Sequence, residues 1–389
     1  MHSPAPLIAA WARSAVVPRG GAFKALHAHD IAAPVVQALL ARAGLDATHI
    51  NAIVVGNALG AGGNPARMLA LHAGLPQACA AYAVDTQCCA GLDAISMGLG
   101  LIASGQAEVV IAGGVEAWSR SPIRMHRPVH PNDEAQAYER PAFAPKPEQD
   151  PDMLLSAARY AARDGYTRAQ QEAYALQSHQ RALAHQAHLA TEIVSVAGIT
   201  HDAHPRVMDA TRAQRMPVVA RTDAMAAVQA DAFALSALTI SAQADGAAFV
   251  LLVSPSAASR LGIQAKASFV ASASIGSAPD TPLLAAELAA REALKRAGLV
   301  DASCLQYVEL HDAFAVQGLS FAKGLSIPPE RLNTMGGGIA RGHPIGASAA
   351  IALVRVLADL EREGHSGAHA LAAVAGAGGL GAAAVVVKL

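Results

Sequence analysis

Cys88 lies in Val84-Asp85-Thr86-Gln87-Cys88-Cys89-Ala90-Gly91-Leu92-Asp93, where an apolar extended run gives way to turn residues and then to an apolar helix. A thiol in the first turn of a buried helix faces unpaired backbone N–H groups and the positive end of the helix dipole. That setting favours thiolate and makes a reactive cysteine. A structural cysteine in a packed core is the alternative, because free Cys is among the most buried residue types. Two later stretches carry further chemistry. Val308-Glu309-Leu310-His311-Asp312-Ala313-Phe314 reads as a strand ending in a turn with His311 and Asp312. Residues 336–348 (GGGIARGHPIGAS) form a glycine loop opening a long helix, with His343 between Gly342 and Pro344. Neighbours of little bulk let such a histidine approach another site closely. A lone loop histidine is more often simply solvated, and the chain has 16 His. His126, His130, His179, His185, His188, His201, His204, His365 and His369 sit among polar or small residues and take no role.

These residues need a scaffold, and the composition supplies one. The chain has 389 residues, long enough for two core-bearing units, with 53% hydrophobic and 15% charged residues. This is a dense globular composition, far from disorder. A net charge of −1 and the absence of basic runs give no nucleic-acid footprint. The four cysteines, Cys79, Cys88, Cys89 and Cys304, fit neither a disulfide framework nor zinc-ligand spacing, so a reducing compartment is expected. Residues 1–20 lack the basic-then-apolar order of a secretory leader. The ending Val387-Lys388-Leu389 is not a serine-lysine-leucine address, which leaves cytoplasm as the expected location. The apolar run 370–387 is rich in Gly and Ala and reads as two buried strands around a glycine turn, not as a membrane span.

In order, residues 7–13 read as a strand, 30–43 as a helix ended by Gly44, and 50–55 as a strand. Residues 57–64 form a glycine loop, 65–73 a helix, and 108–114 (EVVIAGG) a buried strand. Helix is expected over 166–190, opened by a Thr167–Gln170 capping box, with Ala169, Ala173, Leu176 and Leu183 on one face. Alternating strands and helices with continuous apolar strands argue for α/β layers. The polar, proline-rich stretch from about 120 and the helix after it look inserted. The boundaries expected are an N-terminal half over 1–117, continued at 245–265, an insertion over 118–244, and a C-terminal half over 266–389. The halves repeat: Arg42-Ala43-Gly44-Leu45 matches Arg296-Ala297-Gly298-Leu299, and the gapless alignment sets Asn57 on His311.

Cys88, the HDAF turn and the GHPIGAS loop, in this order, resemble the thiolase family. NPAR at 64–67, VVIAGGVEAWSRSP at 109–122, ALQSHQRAL at 175–183 and ADGAA at 244–248 are similar to family segments, so the resemblance runs over nearly the whole chain. It implies a five-layered αβαβα fold of two related halves with an inserted loop domain that binds coenzyme A. It implies an acyl-CoA substrate, no permanently bound cofactor, no metal, and a homodimer or homotetramer with the elements around Cys88 near the dimer contact. It makes Cys88 the acyl-accepting nucleophile and His343 the histidine that activates it. His311 stands where the family usually has the Asn of an NEAF turn, and with His343 would hold the enolate-like thioester oxygen. The backbone N–H groups of Cys88 and Ala377 would form the second oxyanion hole. Ser241 and Met153 align with positions that line the pantetheine.

The family's second cysteine, in a CxGGGxG stretch, is Ala375 here, and the alternative position in an HDCF turn is Ala313. A positioned acid/base is worth about 10²–10⁴-fold in rate. Three accounts follow. Cys89 or Cys304 supplies the thiol; or His311 and His343 support a decarboxylative condensation, as a Cys-His-His set does in ketoacyl synthases; or the chain is an acyl-CoA-binding or partner subunit. The insertion argues against a ketoacyl synthase proper.

Overall fold

The computed structural model describes residues 6–389; residues 1–5, the start of the stretch read as lacking a leader, lie outside the described residues. The N-terminal strands are β1 (Leu7–Ser14), β2 (Ala52–Gly56), β3 (Ala80–Val84), β4 (Val109–Ala117) and β5 (Ala244–Val253). They lie in the order β1-β5-β4-β2-β3, with β2 parallel to β3 and β4, and β5 antiparallel to β1 and β4. The C-terminal strands are β6 (Ala267–Gly276), β7 (Leu305–His311), β8 (His369–Gly376) and β9 (Leu380–Lys388), ordered β7-β8-β9-β6 with β7 parallel to β8. The two sheets meet where β1 pairs β6 through Leu7 with Ser268 and Ile8 with Ala267. The run 370–387 is the expected strand pair around a glycine turn, β8 and β9.

The main helices are α1 (Ala28–Ala43), α2 (Pro65–His72), α3 (Ala90–Ala103), α4 (Met153–Arg163), α5 (Arg168–Ala184), α6 (Pro255–Leu261), α7 (Ala285–Arg296), α8 (Ala315–Gly324) and α9 (Ser348–Glu363). Strand alternation sorts side chains into separate cores. Ala52 and Val54 of β2 face the core shared with α3, α9 and the inner face of the C-terminal sheet, whereas Ile53 and Val55 face α1, α2 and α6. Leu371 and Ala373 of β8 face α7 and α8. The layers therefore run helix, sheet, paired helices α3 and α9, sheet, helix. This is the expected five-layer α/β order, and α3 and α9 form its middle. The repeat is visible in the backbone: Gly44 after α1 and Gly298 after α7 both adopt left-handed conformations (φ 61° and 70°), and each precedes a strand leading to the site.

Local boundaries differ from the sequence reading for identifiable reasons. The strand expected over 108–114 continues through its glycines to Ala117, because β5 and the 346 loop press against it. A Cβ on Gly114 would lie 1.9 Å from the Gly346 carbonyl oxygen. The helix expected over 166–190 is capped as predicted by Thr167 and Gln170, then breaks at His185 before a single turn at Gln186–Leu189. Its buried face is not the apolar set Ala169, Ala173, Leu176 and Leu183, which is exposed or half-exposed. Gln171, Glu172, Ala175, Ser178, His179 and Ala182 are buried instead. This face meets the glycine loop and the Asp312 turn, where hydrogen bonding decides the fit: Ser178 Oγ accepts from the Gly337 N–H at 2.9 Å, and Tyr174 donates to Asp312 at 2.7 Å. His179, read as bland, is fully enclosed there. Helix α3 buries Leu92, Ala94, Ile95, Gly98 and Ile102, but Met97 is 47% exposed, so its burial in the single chain is one-sided. Among the described residues no helix is long and apolar enough to cross a membrane.

Candidate active site

Three strand ends bring the predicted residues together. After β3 the chain turns at Asp85, whose Oδ1 accepts from the Gln87 N–H at 3.0 Å. A single 3-10 turn, Gln87–Cys89, then precedes α3, so Cys88 belongs to that turn, just ahead of the helix in which it was expected. Opposite it, the GHP loop is pinned to the start of β5: the His343 N–H donates to Ala242 O at 2.7 Å. His311 closes β7 and is buried, its ring stacked on His343 with centroids 4.4 Å apart. Gly338 makes this stacking possible, because a Cβ there would lie 2.7 Å from the His311 ring.

The central contact is Cys88 Sγ to His343 Nε2, 3.1 Å. The other ring nitrogen, Nδ1, lies 2.7 Å from Ser348 Oγ, while that hydroxyl donates to Pro344 O at 2.9 Å. Ser348 has one proton, and it is committed to the carbonyl. Its oxygen therefore accepts from Nδ1–H, which leaves Nε2 as a lone pair facing the thiol. The backbone N–H groups of Ala377 and of Cys88 itself point at the sulfur.

The thiolate expectation does not hold in the resting site. Burial outweighs the two N–H groups and pushes the Cys88 thiol up to about 12. Burial likewise pushes His343 down to about 4, and His311 falls well below the ordinary histidine range through burial, then His343 and Arg341. The resting pair is a neutral thiol and a neutral imidazole.

A carboxylate missed at the sequence level holds the frame. Glu116, at the end of β4, is buried and raised to about 7 by that burial. It accepts from Ala58 N–H at 3.0 Å, Gly346 N–H at 3.1 Å and Asn57 Nδ2 at 2.8 Å, so one side chain fixes both the 57 loop and the GHP loop. Ser348 was also overlooked as a functional residue, although its place five residues after His343 was the available signal. Asp312 receives the Tyr174 hydroxyl and the Ile339 N–H (3.2 Å), turning its side chain away from solvent.

Of the remaining predicted residues, Ser241 and Met153 lie beside the HDAF turn. Ser241 Oγ donates to Gly338 O at 2.6 Å and its N–H to Ala313 O at 2.9 Å, so it ties the start of β5 to both histidine loops. Met153 opens α4 and packs in the cluster containing Phe314. Cys304 is exposed in a turn before β7; the strand itself separates it from His311 by about 20 Å at the usual rise per residue. Cys89 is buried in the central core against Gly376, with its thiol held well above the ordinary range by burial. Neither is placed to serve as the second thiol.

Two family models match the chain: "Thiolase, N-terminal domain" over residues 7–256 and "Thiolase, C-terminal domain" over 263–388. An acetyl-CoA acetyltransferase of Rhizobium meliloti is 34% identical over 402 residues, covering 100% of both chains. One of Shinella zoogloeoides is 34% identical over 413 residues, again covering 100% of both. Among solved structures, the Bacillus anthracis acetyl-CoA acetyltransferase aligns with TM-score 0.90 and 27% identity over 99% of each chain. The Acat5 thiolase of Ascaris suum, in complex with coenzyme A, aligns with TM-score 0.89 and 26% identity over 99% of this chain and 100% of that one.

Proposed function

The chain belongs to the thiolase family and is an acyltransferase of acyl-CoA thioesters, and we propose that Cys88 carries the acyl group while His343 moves the proton. The observation that supports this is the 3.1 Å approach of Cys88 Sγ to a His343 nitrogen whose lone pair is fixed by Ser348. With the thiol near 12 and the imidazole near 4, ionisation ahead of attack is strongly uphill. The proton therefore passes from Sγ to Nε2 as the sulfur–carbon bond forms. The carbonyl oxygen becomes an oxyanion between the N–H groups of Cys88 and Ala377. Collapse expels the coenzyme A sulfur, which takes the proton back from Nε2, leaving acyl-Cys88 and free coenzyme A. The pantetheine arm passes Ser241 and Met153, both half-buried and both joined to the turn that carries His311. Coenzyme A is substrate in this scheme, with no resident cofactor.

The second half-reaction separates this chain from a two-cysteine thiolase. Ala375 is the residue of β8 where the family has a thiol, and Ala313 fills the alternative place. His311 Nε2, by contrast, is buried with no hydrogen-bond partner among the described residues. That free nitrogen favours His311 as the group that holds the acceptor thioester oxygen beside His343. It also favours a second reading, an acceptor activated by decarboxylation, which requires no α-proton removal.

The test is acetoacetyl-CoA cleavage by free coenzyme A, with Ala375→Cys assayed beside the parent. The expected result is acylation of both proteins, with cleavage faster in the variant by about 10²–10⁴-fold. Efficient cleavage by the parent would show that another group already does the acid/base work.

An exposed edge supports self-assembly. Among the described residues strand β3 pairs β2 on one side only, and Tyr82 on it is 40% exposed, as Met68 and Leu71 of α2 and Met97 of α3 are exposed. An unpaired apolar edge of this kind suits pairing with a second copy, as in a homodimer or a homotetramer built as a dimer of dimers.

A further inference from the structure

Away from the active site, His29, Asp30 and His72 bring three ligand atoms within 4.8 Å of one another. His29 and Asp30 open α1, and His72 is the last residue of α2. The two oxygens of Asp30 have separate tasks. Oδ2 accepts the His27 N–H at 2.9 Å and caps α1, while Oδ1 faces His72 Nε2 at 3.4 Å and His29 Nε2 at 3.7 Å. The second distance is too long for a direct hydrogen bond. Both approximate the ligand-to-ligand edge of a tetrahedral zinc site, about 3.3–3.5 Å for metal bonds of about 2.0–2.2 Å. Both imidazoles thus present the same nitrogen to one carboxylate oxygen. His27 stacks on His29 with ring centroids 5.5 Å apart, and His29 and His72 meet edge-on at 5.0 Å. These ring contacts restrict the ligands before any ion arrives.

We propose that His29, Asp30 and His72 form a divalent-metal site of the zinc class that fastens the start of α1 to the end of α2. Two imidazoles and a carboxylate are borderline ligands that suit Zn²⁺ over Mg²⁺ or Ca²⁺. All three side chains are partly exposed, at 25%, 31% and 49%, so the ion reaches them from solvent and a water completes its coordination.

The experiment uses untagged full-length protein, stripped with a chelator and treated with iodoacetamide so that Cys88 cannot bind metal. ZnCl2 is titrated calorimetrically into this protein and into identically treated His72→Ala and His29→Ala. The alkylated parent is expected to bind one equivalent and to melt at a higher temperature with zinc. Each variant should bind zinc at least about tenfold more weakly and lose that thermal shift. Co²⁺ should give the intense visible absorption of tetrahedral coordination with the parent and not with His72→Ala. Absence of zinc binding by the alkylated parent overturns the proposal, and so does a His72→Ala isotherm equal to the parent's.

Discussion

Replacing Ser348 by Ala removes one oxygen and tests the proton geometry of the site. Ser348 is buried at the first turn of α9, and among the described residues its hydroxyl bonds only to the Pro344 carbonyl and His343 Nδ1. Alanine preserves the helix and fits the space. It leaves the Nδ1–H of His343 buried without an acceptor, at a cost of about 1–3 kcal/mol. The ring can avoid this cost by moving its proton to Nε2, but that nitrogen then cannot accept from the Cys88 thiol. Either outcome raises the barrier to acylation by a similar amount, which corresponds to a rate about 5- to 150-fold lower. The assay is single-turnover acylation by acetyl-CoA, followed by intact-mass spectrometry on rapidly quenched samples. The maximal rate constant should fall while the half-saturating concentration stays nearly constant, because Ser348 is buried and acts through His343 Nδ1. A folded variant that acylates within about twofold of the parent would refute the assignment of Nε2 as the proton acceptor.

Other outcomes follow from the same geometry. Alkylation of Cys88 by iodoacetamide should rise about tenfold per pH unit across neutrality and keep rising towards about pH 12, because burial disfavours the thiolate; a plateau near pH 7 would indicate a preformed ion pair. Gly114→Ala sets a Cβ against the Gly346 carbonyl and should displace the GHP loop, lowering both the unfolding temperature and acylation; parent-like values for both would contradict the packing. Histidines buried below their unfolded pKa, His179 at about 3 and His204 and His343 at about 4, bind fewer protons folded than unfolded. Their contribution to stability is present above about pH 6.5 and is lost as pH falls from there towards about 4, so urea midpoints should drop across that window. A flat profile would mean that these groups titrate normally.

The order of strands and helices was legible because both periodicities are strong in this chain, and the repeat foretold two similar halves. That Cys88, His311 and His343 meet was legible because each sits at a strand end or in a glycine loop, where small neighbours leave the side chain free to reach. Three things were hidden. The face of α5 could not be read from its apolar residues, because its buried side is fixed by hydrogen bonds from Ser178 and Tyr174. Glu116 looked like an ordinary acid after a strand, since the N–H groups it collects come from loops far apart in sequence. The charge state of Cys88 depends on how much protein surrounds the sulfur, which helix polarity alone does not report. The His29–Asp30–His72 cluster was invisible for a similar reason: its members come from two helices that meet only in the fold.

The most direct measurement is the mass of the protein after brief exposure to acetyl-CoA, with the modified peptide mapped, for the parent and for Cys88→Ala. One acetyl group per chain is expected, on Cys88, and none on the variant. An acetyl group found elsewhere, or equal labelling of Cys88→Ala, would contradict Cys88 as the acyl carrier.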